Sequence, residues 1–462
     1  MLFSTPFFLF AFLPIFFALY WVLPKRRWML LVGSLFFYGW GEPIFLLVVL
    51  ASALLDWLLG KRIAQRRPDA KAWVALGVAA NLSLLVYAKY TVFAVLNLNV
   101  LFAAQGWRTW PVPAIALPLG VSFIVFEKIT YVVDLYRKLV PPAESFLDYL
   151  NYVFLFPKLL AGPIVKYHDI APQLARPAHC YEEVKEGLLR FVFGLAKKVL
   201  IADSLSPIVD QVFSLPAGAL HPGAAWLGLA CFTLQIFFDF SGYSDMAIGM
   251  ARMLGFRLAE NFRDPYLAAS FTDFWRRWHI SLSSWIKEYL YIPLGGNRVS
   301  PARSYLNLCL CFLLCGLWHG AAWNFVIWGA LHGVALVLER AFWLRLSASF
   351  PRFVKIGLTF FAVALTWVFF RCDSFGKALA FLRAMAGVPA AQANEVFLRP
   401  DTVLVLCLGA WLILKPLAGF GAQSAIARKW HLPALGWALC LLVVCLGRIT
   451  VNSFQPFLYF RF

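Results

Sequence analysis

Long apolar runs separated by short polar or basic segments extend along nearly the whole chain. About 20 apolar residues in a helix cross the hydrocarbon core of a bilayer, and several of these runs approach that length. A membrane β-barrel would instead show short segments of alternating polarity. The pattern predicts an all-α polytopic membrane protein with roughly 11 to 13 membrane segments, several of them too short to cross fully. No second soluble domain is apparent, so residues 1–462 are expected to form a single integral-membrane domain.

The first apolar run is followed, not preceded, by the positive charges Lys25, Arg26 and Arg27. A cleaved signal peptide has the opposite polarity. Residues 1–27 are therefore predicted to form a first transmembrane helix with its N-terminus outside.

The next apolar run, residues 28–60, is too long for one crossing and is interrupted by Gly41, Glu42 and Pro43. It predicts an outward and a return helix that end at a basic cytoplasmic loop, and residues 73–98 predict the following span. The basic residues of that loop are Lys61, Arg62, Arg66, Arg67 and Lys71.

Two later segments are apolar but broken. Residues 111–137 carry Glu127, Lys128 and Asp134, and residues 151–170 follow the same broken pattern. The interrupting residues are Pro111, Pro113, Pro118, Gly120, Pro157, Gly162 and Pro163. Irregular or charged backbone at membrane depth must be buried in protein or line a cavity, so re-entrant or half-spanning helices are predicted here.

The chain then alternates between wetter and apolar segments. Residues 171–185 are more polar and predict an interfacial helix. Residues 187–215 predict a span that places Lys197 and Lys198 mid-helix, beside Asp203.

The helix predicted over residues 226–254 is polar for its depth. Its polar residues are Gln235, Asp239, Ser241, Tyr243, Ser244 and Asp245. Asp239 and Tyr243 are four residues apart and share a helix face. Polar residues at this depth usually face a bundle interior or a pore. We therefore expect Asp239, Tyr243 and Asp245 to line a cytoplasmic funnel or to brace the basic segment that follows.

Residues 252–303 are rich in charged and aromatic residues, and we expect them at the cytoplasmic face. Further spans are predicted at residues 307–316, 322–338, 353–370, 402–414 and 435–450.

Composition supports the membrane class, with 62% hydrophobic and only 14% charged residues. The net charge of +18 does not indicate a nucleic-acid partner, because the basic residues cluster at the ends of apolar runs, as cytoplasmic retention requires. Nine cysteines lie mostly in apolar helices without CxxC spacing. They indicate neither a disulfide framework nor a metal site.

His319 is the main candidate for chemistry, because it lies in an otherwise apolar run where a titratable group is costly. It could be a structural histidine bonded to a backbone carbonyl. It could equally act as a general base, since neutral imidazole suits that task near pH 7. Gly316 and Gly320 flank it and would let a substrate or another backbone approach closely.

Two other histidines belong to the same part of the chain. His279, in RRWHISLS, is either an interfacial histidine or a residue that positions substrate. His332 lies too far along one helix from His319 for their side chains to touch, and packing is its favoured role.

Four basic residues form a candidate phosphate-binding group: Arg276, Arg277, Lys287 and Arg298. Arginine forks suit phosphate oxygens. Topological retention or contact with anionic membrane lipid explains the same charges. The sequence carries no Walker motif, no GxSxG elbow and no His/Cys/Asp cluster with metal-ligand spacing.

Several long motifs resemble the membrane-bound O-acyltransferase family, in particular its bacterial polysaccharide branch. They are FDFSGYSDMAIG (238–249), ENFRDPY (260–266), FWRRWHISLSSWIKEYLYIPLGGNR (274–298) and GLWHGAAWNFVIWGALHG (316–333), with AGPIVKYHDI (161–170) and FQPFLYFRF (454–462). The resemblance covers nearly the whole chain.

The resemblance implies that His319 is the catalytic histidine and His279 its polar partner, with Trp318 and Asn324 among the residues that bind substrate. It also implies a ring of tilted helices with a central funnel. The implied donor is acetyl-CoA from the cytoplasm, with no permanently bound cofactor. The implied partners are a periplasmic SGNH-type acetyltransferase and a polysaccharide synthesis or export complex, and the implied location is the bacterial inner membrane.

The implied function is O-acetylation of an extracellular polysaccharide such as alginate. Cellulose and peptidoglycan are alternative acceptors. A non-catalytic acyl-group transporter or channel is the alternative from another class, because transporters also use broken helices with polar residues at the midplane. Transporters usually show paired internal repeats, and none is visible in this sequence.

Overall fold

A computed structural model of the chain describes residues 1–65, 68–160, 162–216, 219–388, 398–418, 431–451 and 457–458. Every regular element in these ranges is helical. The predicted all-α class is therefore confirmed. Arg66 and Arg67, and most of the terminal motif 454–462, lie outside the described residues.

The helices of the N-terminal half are α1 (Leu13–Val22), α2 (Arg26–Gly39), α3 (Pro43–Ala64), α4 (Ala70–Leu85), α5 (Thr91–Ala104), α6 (Val121–Tyr136), α7 (Phe146–Phe154), α8 (Phe156–Leu159), α9 (Tyr167–Ala175), α10 (Tyr181–Ala196) and α11 (Asp203–Ser214). The later helices are α12 (Pro222–Met253), α13 (Phe271–Trp275), α14 (Ile280–Ile286), α15 (Pro301–His319), α16 (Trp323–Leu338), α17 (Leu344–Leu346), α18 (Arg352–Arg371), α19 (Phe375–Met385), α20 (Pro400–Leu414) and α21 (His431–Val451). Single π-helical turns adjoin several of them, at Phe8–Phe12, Val86–Tyr90, Lys197–Ala202, Lys287–Tyr291 and Glu339–Trp343.

Within the described ranges, six helical stretches are long and apolar enough to cross a membrane: Pro43–Ala64, Ala70–Ala104, Pro222–Met253, Pro301–His319, Trp323–Leu346 and Arg352–Arg371. Three shorter apolar stretches accompany them, at Phe8–Val22, Pro400–Leu414 and Leu435–Val451. The chain is thus a multi-pass membrane protein. The predicted span at 187–215 is helical but is not one of the six, and the larger segment count stays a prediction.

The fold divides into two compact units, formed by residues 1–191 with 246–259 and by residues 192–245 with 260–462. The prediction of one integral-membrane domain is not tested by this division.

In the first unit, the predicted break between α2 and α3 is confirmed, because α2 ends at Gly39 and α3 begins at Pro43. Proline suits the first helical position, where its missing N–H has no partner to lose.

The charged residues of α6 are fully buried in this unit, as the sequence predicted for an interrupted segment. The Lys128 ammonium lies 3.1 Å from the Asp56 carboxylate on α3 and 2.7 Å from Ser52 Oγ. Asp56 also accepts a hydrogen bond from Asn81 on α4 at 2.9 Å. Because isolated charges are costly in a dry interior, this pairing fixes α3, α4 and α6 together.

The predicted break within residues 151–170 is also confirmed, and Glu127 holds it. α8 is only four residues long, and residues 160 and 162–166, which lie between it and α9, are non-helical. The Glu127 carboxylate forms an ion pair with Lys158 before the break and accepts a hydrogen bond from the backbone N–H of Val165 after it, at 3.1 Å. One buried carboxylate therefore stabilises both sides of the interruption.

The predicted interfacial helix at residues 171–185 is wrong. α9 ends at Ala175, residues 176–180 are non-helical, and α10 begins at Tyr181. Arg176 lies outside the helical region, with φ −140° and ψ 79°, because the residue before a proline, here Pro177, is sterically kept out of that region.

In the second unit, α15 and α16 form a hairpin in close backbone contact. A Cβ added at Gly316 would lie 2.2 Å from the Phe325 carbonyl oxygen, and one added at Gly329 would lie 2.2 Å from that of Phe312. Small residues allow such approach between membrane helices. The sequence predicted that Gly316 lets either a substrate or another backbone approach closely. The structure shows a close approach of backbone, because α16 fills the space beside Gly316.

This contact predicts a sharp difference between two glycine substitutions. Gly329→Ala should lower the thermal unfolding midpoint, since overpacking against a backbone oxygen typically costs about 1–3 kcal/mol. Gly357→Ala, on α18, is the matched control because nothing lies within 4 Å of its added Cβ, and it should be neutral or slightly stabilising. Thermal unfolding of both purified variants tests this, and equal midpoints would contradict the tight hairpin.

Candidate active site

His319 lies at the junction of the hairpin in the second unit. It is the last residue of α15, followed by the extended Gly320, and only 4% of it is exposed. The sequence placed it within an apolar run, and the structure places it where that run turns. The tight approach of α15 and α16 therefore sets the position of this side chain.

Aromatic rings surround His319. The ring centroids of Trp318, Trp328 and Phe370 lie 5.0, 5.1 and 5.4 Å from that of His319. Trp318, one of the residues predicted to bind substrate, is thus part of this cage. Such walls exclude water, and hydrogen bonds made inside them are stronger than in solvent.

His279 is brought to the same place from 40 residues away in sequence. Its ring centroid lies 6.5 Å from that of His319, 6.0 Å from that of Trp318 and 4.6 Å from that of Phe240. His279 is fully buried, and burial lowers its pKa to about 3. The structure therefore joins the two predicted site histidines and keeps His279 neutral at physiological pH.

The backbone of His279 is unusual. It precedes α14 in the left-handed conformation, with φ +44° and ψ +54°. This conformation is uncommon outside glycine and persists only where surrounding contacts fix it.

Asn261, which the sequence did not single out as a candidate site residue, supplies such contacts. Its Oδ1 lies 3.1 Å from His279 Nδ1 and accepts hydrogen bonds from the Ser281 N–H and hydroxyl, at 3.2 and 2.9 Å. It stands in the ENFRDPY motif, which the sequence used only as a marker of resemblance. No spacing in the sequence indicated that this motif meets RRWHISLS.

His332 is fully buried and has partners on both ring nitrogens. Trp275 Nε1 donates to its Nδ1 at 3.2 Å, and its Nε2 lies 3.0 Å from Thr366 Oγ1. His332 thereby links α13, α16 and α18, which supports the packing role predicted for it.

Glu339 is a second residue that the sequence did not single out. Its buried carboxylate accepts hydrogen bonds from the backbone N–H groups of Phe271 at 2.6 Å and Thr272 at 3.2 Å. A carboxylate is stabilised at a helix N-terminus, and Glu339 therefore fixes the start of α13. The sequence feature that could have indicated Glu339 is its place as a lone acidic residue in the apolar stretch Trp323–Leu346.

Asn324 uses its amide to hold the end of α18. Its Nδ2 donates to the carbonyl oxygen of Cys372 at 2.9 Å. This contact joins α16 to α18, and the assignment of Asn324 to substrate binding stays a prediction.

The four basic residues are not joined by any contact that the structure describes among them. Arg276, Lys287 and Arg298 are exposed, and Arg277 forms an ion pair with Asp273 at 2.7 Å. Their phosphate-binding role stays a prediction.

Two polar residues of α12, Asp239 and Tyr243, contact other segments of the second unit. Asp239 lies 2.6 Å from Lys198 and accepts a hydrogen bond from the backbone of Leu458 at 2.7 Å. Tyr243 stacks on Phe457, with centroids 4.6 Å apart. Asp239 and Tyr243 therefore bind the described part of the C-terminal segment, and the funnel assigned to them stays a prediction.

The chain is similar to a known protein family and to several bacterial proteins. The family model described as "MBOAT, membrane-bound O-acyltransferase family" matches residues 143–375. The probable alginate O-acetylases AlgI of Azotobacter vinelandii and Pseudomonas putida are 38% and 39% identical to this chain, with 100% of both chains covered. A peptidoglycan O-acetyltransferase of Helicobacter pylori is 38% identical, over 84% of this chain and 80% of that protein.

Two acidic residues of α12 should differ in their effect on stability. The Lys198 side chain is buried, with Asp239 and Asp203 as its partners, whereas the pair of Asp245 with Lys197 is partly exposed. Asp239→Ala should destabilise by about 3 kcal/mol, the lower end for breaking a buried pair, since Asp203 remains. Asp245→Ala should cost about 1 kcal/mol or less. Chemical unfolding in detergent, followed by tryptophan fluorescence, measures both, and similar losses would show that Asp239 is not a structural anchor.

Proposed function

The chain belongs to the membrane-bound O-acyltransferase family, and on this premise we propose that it moves acetyl groups from cytoplasmic acetyl-CoA to an extracellular polysaccharide. O-acyl transfer itself follows from the family and from the relatives' activities. The observation that carries the proposal is the convergence of His279 and His319, with ring centroids 6.5 Å apart, inside a buried aromatic cage.

His319 acts as the general base. It takes the proton from an acceptor hydroxyl, whose oxygen attacks the thioester carbonyl carbon of acetyl-CoA. The tetrahedral intermediate then expels the CoA sulfur, which takes up the proton held by His319. An ester forms, a thioester breaks and the proton count is unchanged. Exclusion of water by the cage protects the thioester from hydrolysis.

The alternative chemistry uses His319 as a nucleophile. The imidazole would attack the thioester, release CoA and carry the acetyl group to the acceptor. Rapid quenching under acetyl-CoA, followed by mass spectrometry of the peptide that contains His319, separates the two routes.

Alginate is the acceptor polymer that we propose first, because the Azotobacter vinelandii and Pseudomonas putida relatives, which are matched end to end, are probable alginate O-acetylases. Peptidoglycan is the second candidate, on the similarity to the Helicobacter pylori protein. Cellulose stays a third. Mass spectrometry of the cell-surface polymers from a deletion strain identifies the acceptor, since only the true substrate loses its acetyl groups.

We place the enzyme in the bacterial inner membrane. We also propose that a periplasmic SGNH-type acetyltransferase completes transfer to the polymer, together with the polysaccharide synthesis or export complex. Acetyl-CoA serves as a substrate, with no permanently bound cofactor.

A transporter of acyl groups is the competing function. It would pass an acyl group across the membrane without cleaving the thioester. Reconstituted protein that releases free CoA from acetyl-CoA supports the enzyme, and transport without CoA release favours the competitor.

His319 is tested by substitution. A general base contributes about 10²–10⁴-fold in rate, so His319→Ala and His319→Gln should both abolish polymer acetylation while the protein still inserts. His279→Ala should have an intermediate effect. The measurement is polymer acetyl content normalised to the amount of protein in the membrane.

His332→Gln is the matched control, because this histidine lies in the same hairpin but serves packing. It should lower the amount of folded protein more than the activity of each molecule. Near-normal acetylation by a well-expressed His319→Gln would rule out the base role.

The basic group is tested by charge removal. Changing Arg276, Arg277 or Arg298 to Gln should raise the apparent KM for acetyl-CoA if these residues bind its phosphates. Loss of one charge-assisted hydrogen bond typically costs about 1.5–3 kcal/mol. Exposed Arg303→Gln serves as a control for general charge loss. Unchanged KM with reduced expression would support a topological role instead.

A further inference from the structure

The orientation of the Asn261 side chain is fixed by its contacts. Asn261 is 1% exposed, and one of its terminal atoms lies 3.2 Å from the backbone nitrogen of Ser281. A backbone N–H can only donate, so the terminal atom facing it must be the carboxamide oxygen. The Ser281 hydroxyl donates to the same oxygen at 2.9 Å.

This oxygen determines which nitrogen of His279 carries the proton. His279 Nδ1 lies 3.1 Å from it, and an oxygen acceptor at that distance requires a donor opposite. The Ser281 hydroxyl also lies 3.5 Å from Nδ1, but its single proton is directed to the Asn261 oxygen at the shorter distance of 2.9 Å. Nδ1 therefore carries the proton. In a neutral imidazole the other nitrogen, Nε2, then holds the lone pair. The ring is neutral because burial lowers the pKa of His279 to about 3.

Backbone contacts hold the two segments together around this pair. The Ile280 N–H donates to the Asn261 carbonyl oxygen at 2.9 Å, and the Arg263 N–H donates to that of Arg277 at 2.9 Å. These bonds flank His279, and its left-handed backbone is kept by them. Both the backbone and the ring of His279 are therefore set by residues 261–263.

We infer that Asn261 is a positioning residue for the acyl transfer, whose carboxamide oxygen holds the His279 ring as the Nδ1–H tautomer, so that Nε2 serves as a hydrogen-bond acceptor. The inference rests on the proposed function for the part that His279 plays in the reaction. It assigns different tasks to the two histidines. His279 accepts a hydrogen bond from an N–H or O–H group of bound substrate and does not give up a proton, and His319 performs the proton transfer.

The tautomer can be measured directly. The chain has seven histidines, so protein labelled with [15N]histidine gives a small set of ring signals, and the loss of one set in His279→Gln assigns His279. At pH 7 the assigned ring should carry its proton on Nδ1 and none on Nε2. A proton on Nε2, or on both nitrogens, would overturn the inference.

Substitution of Asn261 tests whether this residue sets the tautomer of His279. Asn261→Leu removes the acceptor with little change in volume, and His279 should lose its preference for the Nδ1–H form. The acetylation rate per folded molecule should fall about 10- to 100-fold, by analogy with the loss of groups that orient metal-binding histidines. Retention of the tautomer in this variant would overturn the inference.

Asn307→Leu is the matched control. Asn307 is also 1% exposed in the second unit, and its Nδ2 donates to the Leu294 carbonyl oxygen at 3.0 Å. Its loss should leave the His279 signals unchanged, and an equal shift would show that the effect is general. If Asn261→Leu does not fold, Asn261→Asp keeps an oxygen acceptor and should keep the proton on Nδ1.

The tautomer is read without any acetyl transfer, so two failures can be told apart. An inactive wild-type enzyme with the expected tautomer counts against the proposed function. An active enzyme with the proton on Nε2 counts against the role of Asn261 alone.

Discussion

A polar group buried away from water in a bilayer must find its hydrogen-bond partner inside the protein, and the described structure is built around this requirement. Lys128 is paired with Asp56, Lys158 with Glu127, and the backbone at the break before Val165 is satisfied by a carboxylate. Each pairing joins segments that are distant in sequence. Charges that would be costly alone thus become the contacts that define how the helices pack.

The same requirement explains why the site is held so closely. His332 has partners on both nitrogens, and Asn261 orients His279. Glu339 fixes the helix that precedes His279. The rings of Trp318, Trp328 and Phe370 form a cage around His319. The polar contacts of the surroundings therefore restrict motion, and the aromatic walls define the space in which a thioester would react.

Much of the fold could be predicted from sequence because its causes are local. Apolar length gave the membrane class, and Gly41 to Pro43 marked a true helix break. The helix expected at 171–185 is wrong for an equally local reason, because Pro177 keeps the residue before it out of the helical region. The approach of His279 to His319 and the bond from Asn261 could not be read from spacing, since both depend on tertiary packing. For these the family resemblance supplied the pairing of histidines, but it did not supply Asn261.

The left-handed backbone at His279 also limits which residue types this position can accept. Histidine, asparagine and aspartate adopt that conformation several-fold more readily than other side chains, whereas β-branched residues are genuine outliers there. In a mutant library at position 279, variants that strain the backbone would therefore be lost first, whatever the chemistry of their side chains. Apart from glycine, the residues that tolerate this backbone best are polar and able to form hydrogen bonds, so the main-chain geometry favours a polar side chain at this position.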